Sequence, residues 1–162
     1  MNVSPSPNDF SAVPPQLREA SRWLIWRLVP NKDAAKKSRK IPYYVDGGCR
    51  GATDTAEDWA RLSTFHAALE CSQLSSCSGL GFALGPDGTG NYWQGIDLDD
   101  LAEHPGLAEI VSALPGYVER SPSGRGVHAI GYGKKFPTLG SNGTGVEAYA
   151  AGRFFTITGL KL

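Results

Sequence analysis

Two carboxylates stand two residues apart in Gly95-Ile96-Asp97-Leu98-Asp99-Asp100, alternating with apolar Ile96 and Leu98. That alternation is the period of a β-strand, on which residues i and i+2 share a face, so Asp97 and Asp99 are expected side by side. Asp and Gly form strands poorly, and two aspartates here run against local propensity. Neighbouring carboxylates repel unless a cation lies between them, and hard oxygen ligands suit Mg²⁺ or Mn²⁺. The pair is therefore read as a divalent-metal site.

Two further segments extend that chemistry. Ser121-Pro122-Ser123-Gly124-Arg125-Gly126 leads into Val127-His128. Small residues let backbone N–H groups turn toward an anion, as in phosphate-cradling loops, with Ser121, Ser123, Arg125 and His128 as added donors. Glu147, between Val146 and Ala148, supplies a third carboxylate, with Arg153 six residues later beyond a turn. Three carboxylates complete a ligand set for two divalent ions about 4 Å apart, the arrangement of nucleotidyl transfer at phosphorus.

These groups need a scaffold. Residues 1–15 hold four prolines and read as an extended, mobile lead-in to a domain over 16–162. After a short helix from Pro15, Trp23–Val29 and Ile41–Val45 are expected as a paired hairpin with a basic loop between them. Asp54 or Thr55 caps a helix whose Trp59, Leu62, Phe65 and Leu69 repeat at helical spacing and face the core, ending before Ser72–Ser78. Gly79–Leu84 and Trp93–Leu98 are expected as a hairpin, and 102–114 as a second helix with Leu107, Ile110, Val111 and Leu114 on one face. Strands follow at Tyr117–Arg120 and Val127–Tyr132. Val146–Tyr149 and Arg153–Thr158 are expected to close the chain as a hairpin, which would set Arg153 near Glu147. The sum is an α+β domain, helices on a mainly antiparallel sheet. A last strand ending so near the C-terminus gives the expectation of a catalytic fragment of a longer protein.

Composition narrows the class. A chain of 162 residues with 41% hydrophobic and 20% charged residues is ordinary for one globular domain. Apolar runs are far shorter than a membrane span, no signal-peptide pattern opens the chain, and the cytoplasm is the default compartment. Cys49, Cys71 and Cys77 lack C-x-x-C spacing and read as free thiols. The charge is balanced, 16 basic against 16 acidic residues, but Lys32, Lys36, Lys37, Arg39, Lys40 and Arg50 crowd one segment. That run is either a solvated loop or a contact surface for nucleic acid.

Taken in order, these motifs resemble the archaeo-eukaryotic primase superfamily, specifically the primase–polymerase domains of phage and plasmid replication proteins. Asp97-Leu98-Asp99, the Ser121 to His128 segment and Gly145-Val146-Glu147 match its three motifs, with Gly126 where the family often has serine. Trp23 to Trp26, Lys40-Ile41-Pro42-Tyr43 and Gly152-Arg153-Phe154-Phe155-Thr156 match further features, so the likeness spans about residues 20 to 160. The resemblance implies a sheet of RNA-recognition-motif type beside an N-terminal α/β unit, with the cleft between them. It implies Mg²⁺ or Mn²⁺ on Asp97, Asp99 and Glu147, and an incoming nucleoside triphosphate held by His128, the serine loop, Lys40 and Arg153. The partner it implies is a single-stranded DNA template, with Lys36, Lys37 and Arg39 as the expected contacts, in a bacterial host. Neighbouring helical and helicase modules of the same protein are also implied.

Two other classes use some of the same residues. A metal-dependent nuclease or replication initiator also uses carboxylates and histidine, but only His66, His104 and His128 exist, with no His-hydrophobic-His pair. A non-catalytic single-strand-binding module would use the basic loop with Tyr43, Tyr44, Phe154 and Phe155, although aromatics at alternating strand positions usually face a core.

Overall fold

The structure, a computed structural model, describes residues 9–162; the first eight residues of the expected lead-in lie outside the described residues. Val13 is fully buried and Phe10 packs on the Phe65 ring, so these two residues already belong to the core.

The architecture is α+β, built on two antiparallel sheets. Sheet A orders β2 (Arg39–Tyr43), β1 (Trp23–Val29), β3 (Gly79–Ala83) and β9 (Phe154–Ile157). Sheet B orders β6 (Tyr117–Arg120), β7 (Val127–Gly133) and β5 (Tyr92–Leu98), and β5 is flanked on its other side by β8 (Val146–Tyr149) and the two-residue β4 (Gly85–Pro86). Trp23, Phe82, Leu84, Ile130, Tyr149, Phe155 and Ile157 form the principal core, joining residues of both sheets. Helix α4 (Leu107–Ala113) covers other side chains of sheet B, among them Leu98, Val127 and Val146. Helices α1 (Pro15–Glu19), α2 (Ala56–Arg61) and α3 (Phe65–Leu74) complete the domain. Among the described residues no helix is long and apolar enough to cross a membrane.

The β1–β2 hairpin forms as expected, with Trp26 opposite Pro42 and Leu28 opposite Lys40. The other two expected hairpins do not form. β3 pairs with β1 and β9, whereas β5 pairs with β4, β7 and β8. The chain leaves sheet A at Gly85, whose φ of +128° suits glycine, and the buried Arg22 guanidinium holds the crossover. It donates to the carbonyls of Ala83 at 2.6 Å, Leu84 at 3.0 Å and Pro86 at 3.0 Å. Likewise β8 joins sheet B and β9 joins sheet A, with residues 150–153 crossing between them. Local turn signals favoured adjacent pairing, but burying Tyr149 and Phe155 in one inter-sheet core requires their strands to diverge.

The expected long helix divides into α2 and α3. Ser63 and Trp23 exchange backbone hydrogen bonds at 2.9 and 3.0 Å, which takes Ser63 out of helical pairing. Thr55 and Thr64 then cap the two helices by accepting from Asp58 N and Ala67 N. Helix α3 runs on through Ser72 to Leu74 instead of stopping at Ser72. Trp59 and Ile110 are exposed, contrary to the core assignment, while Leu62 and Leu107 are buried.

Candidate active site

One rung of sheet B gathers the titratable side chains. In register across the sheet stand Glu119 on β6, His128 on β7, Asp97 on β5 and Glu147 on β8. Residues opposite each other in antiparallel strands project from the same face, so the four form a row. Asp97 and Glu147 are fifty residues apart in sequence and adjacent in space. Only the last β5–β8 pairing accomplishes that.

Asp97, His128 and Glu147 line a cleft of about 590 Å³. Its other walls come from Lys40 and Pro42 of β2, Phe154, Phe155 and Thr156 of β9, and the loops bearing Arg50 and Arg153. Lys40 also lies over the Trp26 ring, 5.8 Å from its centroid, so aromatic packing steers its ammonium. Arg153 stacks 5.0 Å from the centroid of Tyr149, whose hydroxyl donates to Glu147 Oε2 at 2.6 Å. Arg153 and Glu147 thus share the cleft through Tyr149, not through the hairpin expected from sequence.

The electrostatics are those of a site awaiting positive charge. Burial, then the charges of Asp99 and Glu147, push Asp97 up to about 7, opposed by Lys40. Asp97 Oδ1 is buried without a hydrogen-bond partner. His128 Nε2 lies 3.4 Å from it. Burial drives His128 down to about 4, outweighing a hydrogen bond to Thr156, so the ring is neutral near pH 7. Its Nδ1 stands 3.2 Å from the Thr156 carbonyl, which can only accept, so Nδ1 carries the proton and Nε2 presents a lone pair. A carboxylate oxygen and an imidazole lone pair facing each other fit a cation between or beside them. Among the described residues no three His, Cys, Asp or Glu side chains form a ready-made cage. Mg²⁺ typically takes one or two carboxylates and fills its remaining positions with water and substrate phosphate, so an open carboxylate pair suits it.

The other expected residues are distributed around this centre. Asp99 lies just beyond β5, exposed and outside the lining of the cleft, with its N–H on the Gly145 carbonyl at 2.9 Å. The Ser121–Gly126 loop is closed on itself: Ser121 Oγ accepts from Gly126 N, Ser123 Oγ from Arg125 N, and Gly124 N donates to Ser121 O. Those N–H groups are committed inside the loop. Ser121, Ser123 and Arg125 are not among the residues that line the cleft. Arg125 instead pairs with Asp100 at 3.3 Å, and Lys37 approaches the same carboxylate at 3.9 Å. Lys36, Lys37 and Arg39 are exposed on the β1–β2 hairpin.

Sequence reasoning placed Arg50 in the solvated basic run, and that assignment fails. Arg50 is buried, with Nε and Nη2 each 2.8 Å from the two oxygens of Asp58. Tyr44 Oη donates to the same carboxylate at 2.7 Å and Asp54 N at 3.0 Å. Burial alone would raise Asp58, but these donors and the Arg50 charge outweigh it and hold the carboxyl below its ordinary value. Asp54 Oδ2 in turn accepts from Gly152 N, so the network fixes the loops on that side of the cleft. Tyr44 and Phe155, offered above as possible strand contacts, are buried.

No protein-family model matches the chain. It is 28% identical over 154 residues to the DNA primase-polymerase of Nitratiruptor phage NrS-1, a match covering 88% of this chain and 20% of that protein. The chain therefore spans about one fifth of the length of that relative. The match extends over nearly the whole domain. Over that stretch this chain is similar to a phage DNA primase-polymerase.

Proposed function

We propose that this domain carries out template-dependent nucleotidyl transfer on single-stranded DNA, making or extending primers in the replication of a phage, plasmid or mobile element. The observation that carries the reading is the Asp97–His128–Glu147 rung, with an unpartnered carboxylate oxygen beside a cleft that Lys40 and Arg153 line from the other side. Asp97 and Glu147, with Asp99 at the strand end, are the residues to hold Mg²⁺ or Mn²⁺. Bound there, divalent ions supply Lewis acidity and charge neutralisation for in-line displacement at the α-phosphorus.

The chain's own residues do the rest. Lys40 and Arg153 place positive charge opposite the carboxylates, where a triphosphate bridges the two walls. His128, locked through Nδ1, turns its Nε2 lone pair to accept from a hydroxyl of the incoming nucleotide at the junction of the sheets. Positioning and preorganised charge contribute most to catalysis of this type. Lys36, Lys37 and Arg39 lead the template strand toward Lys40. Helical and helicase modules, and residence in the cytoplasm of a bacterial host, belong to the same proposal.

Calorimetric titration of dATP and ATP with Mn²⁺, followed by primer extension on single-stranded DNA, tests it. Binding and incorporation should require metal and disappear in Asp97→Asn. Incorporation unchanged in that variant would refute the assignment. Nicking of supercoiled DNA without nucleotide incorporation would favour phosphodiester hydrolysis instead.

A further inference from the structure

Beyond the residues that reach the cleft, we propose that Glu119 is a positioning residue that sets the tautomer and aim of His128. The inference rests on the reading that His128 serves the incoming nucleotide. Glu119 stands directly opposite His128 in register and is fully buried. It is not among the residues that line the cleft; Oε1 accepts from Thr158 N at 2.8 Å, and Oε2 accepts from Tyr117 Oη at 2.8 Å and Gly159 N at 2.9 Å.

Thr158 and Gly159 continue directly from β9, the strand of sheet A whose Thr156 carbonyl receives His128 Nδ1–H. Sheet A is thus stitched to sheet B twice within four residues, once through Glu119 and once through His128. The seam is completed by Thr158 Oγ1 on Arg120 O at 2.7 Å and Arg120 N on Leu160 O at 2.8 Å. Gly159, at φ +75°, makes the bend that turns both N–H groups toward the carboxylate, a conformation few other residues adopt. A shift of this tail moves the Thr156 carbonyl away from Nδ1, and the neutral ring is then free to carry its proton on Nε2. That would turn the lone pair facing Asp97 into a donor. Outer partners of a functional histidine act in this way, fixing ring orientation and tautomer.

A role confined to stability would lower the melting temperature and leave the imidazole unchanged. The test therefore reads His128 itself, by ¹⁵N NMR of the histidine side chains in the free protein, for wild type and Glu119→Gln. An amide offers one oxygen to donors on both sides and sets its NH₂ against a backbone N–H. The expected result is an Nδ1–H tautomer in wild type and a gain of Nε2–H tautomer in Glu119→Gln. With it, kcat/KM for Mn²⁺-dependent incorporation should fall about 10–100-fold, while affinity for single-stranded DNA stays the same. Unchanged His128 shifts, or an altered tautomer with unchanged kcat/KM, overturns the proposal. If Glu119→Gln does not fold, Tyr117→Phe removes one of the three donors; a smaller tautomer change then supports the proposal, and none overturns it. Because the tautomer is read without substrate, a wild-type protein inactive in incorporation would sink the nucleotidyl-transfer reading separately.

Discussion

Asp97→Asn should stabilise the metal-free protein while abolishing its response to metal. Asp97 is raised from 3.8 to about 7, first by burial and then by Asp99 and Glu147. A carboxyl whose folded-state value is raised costs nothing below its unfolded value, and its penalty grows as pH climbs through the folded value. Between about pH 4 and pH 7 the gap amounts to roughly three steps of about 1.4 kcal/mol, or about 4 kcal/mol in full above pH 8. The side chain keeps 21% exposure, so solvent screening trims this to about 2–4 kcal/mol. For a domain of this size that is a rise in Tm of about 4–16 °C. Differential scanning calorimetry of both proteins at pH 4 and pH 8 measures it, with and without Mn²⁺. Wild type should gain about 2.7 kcal/mol at a metal concentration one hundred times Kd, and the variant essentially nothing. An Asn variant no more stable than wild type at pH 8, or a difference that does not grow with pH, would refute the account of Asp97 as a buried carboxylate under repulsion.

Other outcomes test other parts of the molecule. Arg50→Met leaves Asp58 buried without its cation and should cost about 3–5 kcal/mol in urea denaturation at pH 7, whereas Arg50→Met with Asp58→Leu should recover much of that loss. Since Asp58 is held below its ordinary value, the wild-type contribution of this pair is present above the unfolded carboxylate range and is lost as pH falls through the folded value. Replacing Lys36, Lys37 and Arg39 together by Ala should reduce the salt dependence of single-strand binding by about two in log–log slope, from three phosphate contacts at about 0.7 each. A slope unchanged in fluorescence anisotropy would remove the hairpin from the template path.

The candidate residues Asp97, His128 and Glu147 of the cleft were legible in the sequence because residue type at short range singles them out. Asp97 beside Asp99 opposes strand propensity, and a serine–glycine loop before His128 requires no fold to be noticed. The β1–β2 hairpin was equally local, and so was the Thr55 cap. What the chain order concealed was the partner of each strand. Residues 79–98 and 146–157 looked like hairpins because their turns are short, but both segments divide between sheets so that Tyr149, Phe155 and Phe82 can share one core. Only that division sets Glu147 beside Asp97. Burial was similarly invisible: Arg50 counts as one more charge in a basic run until Asp58 folds over it, and Glu119 is an unremarked strand carboxylate until the turn after β9 aims the Thr158 and Gly159 N–H groups at it. A charge's role depends on the dielectric and the donors around it, and those are supplied by residues far away in sequence. The sequence by itself determined which groups could do chemistry; the tertiary structure decided which of them meet, and which are buried to hold the others in place.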